Sequence, residues 1–133
     1  MYFDKLVKSS GNYLYLVFRL LIGLVFFLHG SGKLFGWFGG SVVPLAGLFG
    51  VAGIIETLAG LGILLGFFTR LAAVGGLAVM IGALIIAHLP QGWNPLQNGG
   101  EPATLFLAAF LVLIVYGAGK WSLERVLLKK EHF

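Results

Sequence analysis

Four long apolar runs constrain this chain more than any other feature of its sequence. They extend approximately over residues 13–30, 47–66, 71–89 and 103–118. A helix needs about 20 apolar residues to cross a hydrocarbon core of roughly 30 Å, and the four runs meet this requirement. With 59% hydrophobic and 11% charged residues, the chain also has too few charges to cover the surface of a water-soluble domain. We therefore expect an all-α integral membrane protein.

The segments between the runs indicate how the helices are connected. Residues 67–70 form a tight connection, and the segments 31–46 and 90–102 are too short to hold a soluble domain. Short connections favour neighbouring helices that run in opposite directions. The sequence thus predicts one domain over residues 1–133, a transmembrane four-helix bundle with up-down-up-down topology.

Basic residues predict the orientation of the bundle in the membrane. Lys33 alone falls on one side of a four-pass topology, and seven basic residues fall on the other: Lys5, Lys8, Arg70, Lys120, Arg125, Lys129 and Lys130. Because cytoplasmic loops are enriched in lysine and arginine, we expect both termini in the cytoplasm. The net charge of +4 belongs to this asymmetry. Membrane lipids, and not nucleic acid, are therefore the expected partners of these charges.

Glycines are frequent in the apolar runs. Lipid provides no hydrophobic driving force between helices, so small residues support association by letting backbones approach closely. We expect most of these glycines to be packing residues, and the alternative is that some leave room for a ligand. Apart from Gly47 and Gly66 at the bounds of the second run, those in the second and third runs are Gly50, Gly53, Gly60, Gly62, Gly75, Gly76 and Gly82.

Two ionisable residues lie inside the apolar runs, Arg19 in the first and Glu56 in the second. Such residues usually face the interior of a bundle and have a partner there. We expect Arg19 and Glu56 to form an ion pair inside the bundle. The alternative is that the Arg19 side chain extends to the lipid headgroups, in which case the Glu56 carboxylate needs another partner, a proton or water.

A second group of polar residues is expected at the outer ends of the helices. His29 and Lys33 are four residues apart and therefore share one side of the first helix. Taken singly, each residue has an ordinary explanation. Histidine and lysine at a helix end commonly contact lipid headgroups, tryptophan is common at the membrane interface, and glutamate is favoured at a helix start. Jointly, they predict a site that holds a polar ligand head group above Glu56 and exchanges a proton. Its ligand-binding candidates are His29, Lys33, Glu56, His88, Trp93 and Glu101, of which His29, Glu56 and His88 are also catalytic candidates.

Metal and haem sites are not favoured by these residues. The chain has no cysteine, which excludes a thiolate metal site and thiol chemistry within it. His29 and His88 are the minimum for bis-histidine haem ligation, but nothing in the sequence fixes their opposition. We expect no metal site.

Several sequence motifs in this chain resemble those of the DoxX family of small four-helix bacterial membrane proteins. In chain order they are "FRLLIGLVFFLHGSGKLFG", "ETLAGLGILLGFFTRLAA", "GALIIAHL", Glu101 before the fourth run, and "GAGKWSLER" after it. Together they extend over nearly the whole chain. The resemblance supports the four-helix architecture that the apolar runs predict.

The resemblance implies a redox-linked function. Proteins similar to this one are described as membrane oxidoreductase subunits, with relatives in thiosulfate:quinone oxidoreductase and in oxidative-stress defence. The family offers no agreed catalytic residues to carry across. From the resemblance we expect a subunit that acts near the quinone pool of the bacterial inner membrane. We expect it to bind quinone as a cofactor and to have a redox partner protein, in a homo-oligomer or hetero-complex. The alternatives are a proton-coupled or small-solute transporter, and a non-catalytic membrane anchor or assembly subunit.

Overall fold

The computed structural model describes residues 2–129, and α-helices form most of this part of the chain. They are α1 (Tyr2–Phe35), α2 (Leu48–Leu65), α3 (Thr69–Ala83), α4 (Pro95–Asn98), α5 (Glu101–Tyr116) and α6 (Leu123–Leu128). A π-helical segment (Leu84–His88) and a 3₁₀ turn (Leu89–Gln91) continue α3, and another 3₁₀ turn (Trp37–Gly39) follows α1. The described residues contain no strand, which confirms the all-α prediction. Lys130, one of the basic residues used to predict orientation, lies outside them.

Three helical stretches are long and apolar enough to cross a membrane: Tyr2–Phe35, Leu48–Leu65 and Thr69–Gln91. Helix α5 is apolar but has 16 residues, about 24 Å at roughly 1.5 Å per residue. Large apolar side chains such as Leu58, Leu105 and Val115 point away from the protein and are more than 60% exposed. A surface of this kind fits contact with lipid and would be costly in water.

Helix α1 extends beyond the predicted run of residues 13–30 in both directions. It ends before Gly36, which adopts the left-handed conformation (φ 71°) that commonly follows the last turn of a helix. The added turns at this end place Lys33 inside the helix and not in a loop. His29 and Lys33 therefore lie one helical turn apart on continuous helix.

Helices α1 and α2 pack at very short range because glycines lie where they touch. Gly23 faces the backbone of Leu64, and Gly30 faces the backbone of Thr57. A Cβ atom at either position, or at Gly60 on α2, would collide with the backbone of the opposite helix. The order of these contacts shows that the two helices run antiparallel. It also bears out the predicted packing role for Gly60.

The core of the protein joins α1 and α2 to α3 and α5. The Phe26 ring is fully buried and lies edge-on to Phe110, with ring centroids 4.8 Å apart. Gly76 on α3 leaves the space that the Phe110 ring occupies. Gly82, predicted to be a packing residue, is different, because a Cβ atom there would meet nothing within 4 Å. Its surroundings are open and not packed.

Candidate functional site

Four of the predicted site residues line one cavity of about 230 Å³. His29 and Lys33 come from α1, Glu56 from α2, and His88 from the π-helical end of α3. The remaining wall is mostly apolar and includes the Phe106 ring of α5. We call this region, defined by His29, Lys33, Glu56 and His88, the histidine end.

Lys33 and Glu56 form an ion pair in the wall of this cavity. The Lys33 Nζ atom lies 2.7 Å from both carboxylate oxygens of Glu56. The Glu56 side chain is 2% exposed and that of Lys33 is 30% exposed, so Lys33 is the more accessible member of the pair. Gly53, one turn from Glu56, allows this approach, because a Cβ atom there would come within 3.1 Å of the Lys33 Cβ.

The predicted ion pair between Arg19 and Glu56 is wrong. The contacts of Gly23 with Leu64 and of Gly30 with Thr57 place Glu56 opposite the residue that follows Gly30. Arg19 lies about 18 Å from that level at roughly 1.5 Å of rise per residue. The prediction counted depth from the ends of the apolar run, whereas α1 is much longer than that run.

Arg19 instead bonds backbone carbonyl groups at the opposite end of the bundle. Its side chain donates to the carbonyl oxygens of Ala118 (2.7 Å), Trp121 and Leu64 (3.3 Å). The residue is 3% exposed, so it does not extend to the lipid headgroups as the alternative prediction proposed. We call this region, defined by Arg19, Ala118, Trp121 and the buried Glu124 of α6, the arginine end.

The ring of His88 is fixed by the loop that follows it. Its Nδ1 atom lies 3.1 Å from the backbone carbonyl oxygen of Asn98. Because a carbonyl oxygen only accepts, Nδ1 carries the proton, and Nε2 of the neutral ring is left as an acceptor. Asn98 is 4% exposed, and its side chain bonds the Gly92 carbonyl oxygen (2.8 Å) and the Gly100 N–H (2.7 Å). This network closes the loop beside the cavity.

His29 lies against an aromatic wall of the cavity. Its ring is edge-on to Phe106, with centroids 5.7 Å apart. Among residues 2–129 its ring nitrogens make no hydrogen bond, so they are available to a ligand. Trp37 borders a second hollow of about 410 Å³ that also touches His29 and Lys33. The hollow provides an approach to the cavity from the end of α1.

Trp93 and Glu101, the other two predicted ligand-binding residues, do not line this cavity. Trp93 is 82% exposed on the loop before α4. Glu101 is exposed at the first residue of α5, where a carboxylate is favoured by the helix dipole. Its neighbour Pro102 lines the cavity in its place.

Sequence reasoning missed Asn98 and Phe106. Asn98 precedes two glycines and a helix start, and asparagine in such a position commonly bonds the backbone two residues on. That signal predicts the turn, although it does not identify His88 as the partner. Phe106 gives no signal of its own, because it is one aromatic residue in an apolar run.

Long apolar helices with a polar cavity between them define an integral membrane protein with a candidate ligand site. The chain belongs to the DoxX family, whose model, described as DoxX, matches residues 14–89. The matched segment contains all four residues of the histidine end and stops before α5 and α6. The strongest family signal therefore coincides with the part of the chain that provides the polar wall of the cavity.

Relatives from three bacteria match most of the chain. It is 30% identical to the uncharacterized membrane protein Rv3486 of Mycobacterium tuberculosis, over 95% of this chain and 88% of the relative. It is 33% identical to an uncharacterized protein of Haemophilus influenzae, over 84% and 89%. It is 31% identical to the inner membrane protein YphA of Escherichia coli, over 93% and 96%. No solved structure matches the chain significantly.

Proposed function

We propose that this DoxX-family protein binds the head group of a quinone at the histidine end and acts as a subunit of a membrane redox complex. The observation that carries the proposal is the cavity itself. It combines an ammonium group, a carboxylate and two imidazoles with aromatic and aliphatic walls. This combination suits a quinone head group, which is a flat apolar ring with a carbonyl oxygen at each of two opposite positions.

The polar groups suit hydrogen bonds to those carbonyl oxygens. Lys33 has three N–H donors and its contacts with Glu56 leave donor capacity toward the cavity. His88 in its neutral form accepts a hydrogen bond at Nε2, as a quinol hydroxyl requires, and in its protonated form donates one. Glu56 keeps the ammonium of Lys33 in place and balances its charge.

A redox function needs a second protein. Reduction of a quinone to a quinol takes two electrons and adds one proton to each of the two carbonyl oxygens. The chain has no cysteine and offers no recognisable electron carrier of its own. We propose that a partner protein supplies the electrons and that the histidine end supplies hydrogen bonds and exchanges the protons.

The proposed topology has four membrane crossings with α5 as the fourth and shortest. The basic residues at the arginine end, Lys120 and Arg125 among them, support a cytoplasmic position for that end and for both termini. The histidine end then faces the outside. The names of the Escherichia coli relatives support an inner-membrane location.

Packing beside the cavity favours binding over transport. The rings of Phe26, Phe106 and Phe110 lie together next to the site, with centroids 5.2 Å apart between Phe26 and Phe106. They fill the space through which a solute would have to pass within one chain. A transport route would therefore have to run between copies of the chain.

Quinone binding by the purified protein tests the proposal. Calorimetric titration with a short-chain ubiquinone and a short-chain menaquinone should give saturable binding of at least one of them. Replacement of His88 by alanine should weaken that binding about tenfold, the effect of losing one good hydrogen bond to the ligand. Leu105→Ala, on the lipid-facing side of α5, is the matched control and should bind as the wild type does. Absence of saturable binding by either quinone would contradict the proposal.

A further inference from the structure

A lateral groove between α2 and α3 adjoins the cavity. It has a volume of about 400 Å³, and its apolar walls include Phe49, Ala52 and Ile55 of α2 and Val79, Gly82 and Ile86 of α3. We call this the α2–α3 groove. We propose that it holds the apolar tail of the ligand whose head group lies at the histidine end. This inference rests on the proposed function and deepens it, because it specifies a tailed amphiphile as the ligand.

Shared residues connect the groove with the cavity. Lys33, Glu56 and His88 line both spaces, and Ala83 does so as well. A ligand whose polar atoms contact Lys33 or His88 therefore has the groove immediately beside it. The charged groups mark the junction, with apolar surface on the groove side and donors and acceptors on the cavity side.

The size of the cavity also fits a ligand that extends beyond it. Pockets for complete small molecules usually measure about 300–1,000 Å³. The cavity, at about 230 Å³, is smaller than that range, whereas the groove at about 400 Å³ lies within it. A head group fits the cavity, and the rest of a larger ligand must leave it through an adjoining space.

The groove exists because α2 and α3 separate toward the histidine end. A Cβ atom at Gly75 would touch Ile55 at 3.5 Å, whereas one at Gly82, two turns further along the same helix, would meet nothing within 4 Å. The π-helical segment Leu84–His88 begins two residues later. Such segments widen a helix locally and are frequent at functional sites.

The outer walls of the groove are suited to contact with lipid. Phe49 is 55% exposed and Ile86 is 57% exposed, and both are large apolar residues. An apolar tail in the groove would exchange contacts with lipid chains for contacts with these walls. The ligand would then reach the cavity sideways from the bilayer and would not have to cross water.

A pair of glycine variants separates this inference from the proposed function. Gly82→Leu puts a side chain into the groove where open space receives it. Gly11→Leu also adds a leucine side chain where open space receives it, on α1 and away from the groove and the cavity, and is the matched control. Ala52→Leu fills the groove from α2 and is the second test variant. The ligands are a tailless benzoquinone head group and the same head group with a ten-carbon alkyl tail, both titrated into purified protein in one detergent.

We expect Gly82→Leu and Ala52→Leu to weaken binding of the tailed quinone about tenfold, the contribution of roughly two methylene groups. Binding of the tailless quinone should change less than twofold, and Gly11→Leu should affect neither ligand. If Gly82→Leu and Ala52→Leu leave the ratio of the two affinities unchanged, the tail lies elsewhere and the inference is wrong. Equal weakening of both ligands also overturns the inference. Failure of the wild type to bind either quinone rejects the proposed function itself.

Discussion

The histidine end and the arginine end of the bundle both bury a charged side chain, but they satisfy it in different ways. Arg19 is bonded to carbonyl oxygens of the chain, including those of Ala118 and Trp121, and is 3% exposed, although it also borders a surface hollow of about 480 Å³. Glu56 is bonded to Lys33, which also lines the cavity, the groove and the hollow beside Trp37. The partners of Arg19 are therefore fixed backbone groups, whereas the partner of Glu56 is a side chain that lines three adjoining spaces.

The two ends differ in the kind of group that bonds the buried charge. Backbone carbonyls are fixed by the fold, so a guanidinium bonded to several of them holds segments of the chain together. Here it joins α1 to the segment before α6, and the Glu124 N–H bonds the Gly66 carbonyl oxygen (3.3 Å) in the same region. A pair of side chains beside a cavity can change partners when a ligand arrives. We therefore propose that the arginine end stabilises the fold and that the histidine end binds the ligand.

Replacing Arg19 by methionine should have the largest effect on stability. Methionine keeps the aliphatic bulk but leaves buried carbonyl groups without their donor, at a cost of about 3–5 kcal/mol. Denaturant unfolding in detergent, followed by circular dichroism, measures the loss. Arg70→Met is the matched control, because Arg70 also donates to carbonyl oxygens but is only partly buried. Equal losses in the two variants would contradict a special role for the arginine end.

Replacing Glu56 by glutamine should cost about 2–3 kcal/mol of unfolding free energy, because it leaves the Lys33 ammonium beside the cavity without its counter-charge. The partial exposure of Lys33 makes this loss smaller than that at Arg19. Adding Lys33→Met to Glu56→Gln should recover part of the stability, which a double-mutant cycle measures as coupling. Neither the single nor the double variant should retain wild-type quinone affinity. A coupling of zero would rule out the pair as a stabilising contact.

Replacing Asn98 by alanine should weaken quinone binding about tenfold, equivalent to about 1.4 kcal/mol. Asn98 is a positioning residue, since its side chain holds the loop whose carbonyl group orients His88. Nitrogen chemical shifts of the His88 ring should show mixed tautomers in this variant and one tautomer in the wild type. Weaker binding with unchanged His88 shifts would mean that Asn98 acts only on the stability of the loop.

Replacing Trp93 by alanine or Glu101 by glutamine should have the smallest effects. Both residues are exposed and outside the cavity, so quinone affinity should stay within about twofold and stability within about 0.5 kcal/mol. The same titrations and unfolding curves measure both quantities. A tenfold loss of affinity in either variant would extend the site beyond the histidine end.

The sequence predicts much of the fold because apolar run length is a strong signal. Helices α2 and α5 lie within about two residues of their predicted bounds, and α3 does so together with the π-helical segment and the 3₁₀ turn that continue it. A tight connection follows α2 as predicted, but it consists of residues 66–68, because Thr69 and Arg70 already belong to α3. The end of α1 was harder to predict, because Gly30 lies inside the helix although glycine usually weakens one by about 1 kcal/mol. Close packing of Gly30 against Thr57 requires a glycine at this position. Such a contact between two helices gives no periodic pattern in the sequence, so the sequence does not predict it.

Four of the six predicted ligand-binding residues line one cavity, but the bonds that they make were not predicted. His29, Lys33, Glu56 and His88 were identified because polar groups at helix ends and inside apolar runs are unusual. The pairing of Lys33 with Glu56 depends on the register between α1 and α2, which a single sequence does not give. The partners of Arg19 are backbone carbonyls in an irregular segment, and no side-chain pattern points to them.

Photoaffinity labelling with an azidoquinone tests the central claim most directly, that a quinone binds at the histidine end. The labelled membrane protein is digested and the modified peptides are identified by mass spectrometry, with and without excess unlabelled quinone. We predict labelling within residues 26–33 and 79–88, and its loss under competition. Labelling that resists competition, or that concentrates around Arg19 and residues 118–128, would contradict the assignment.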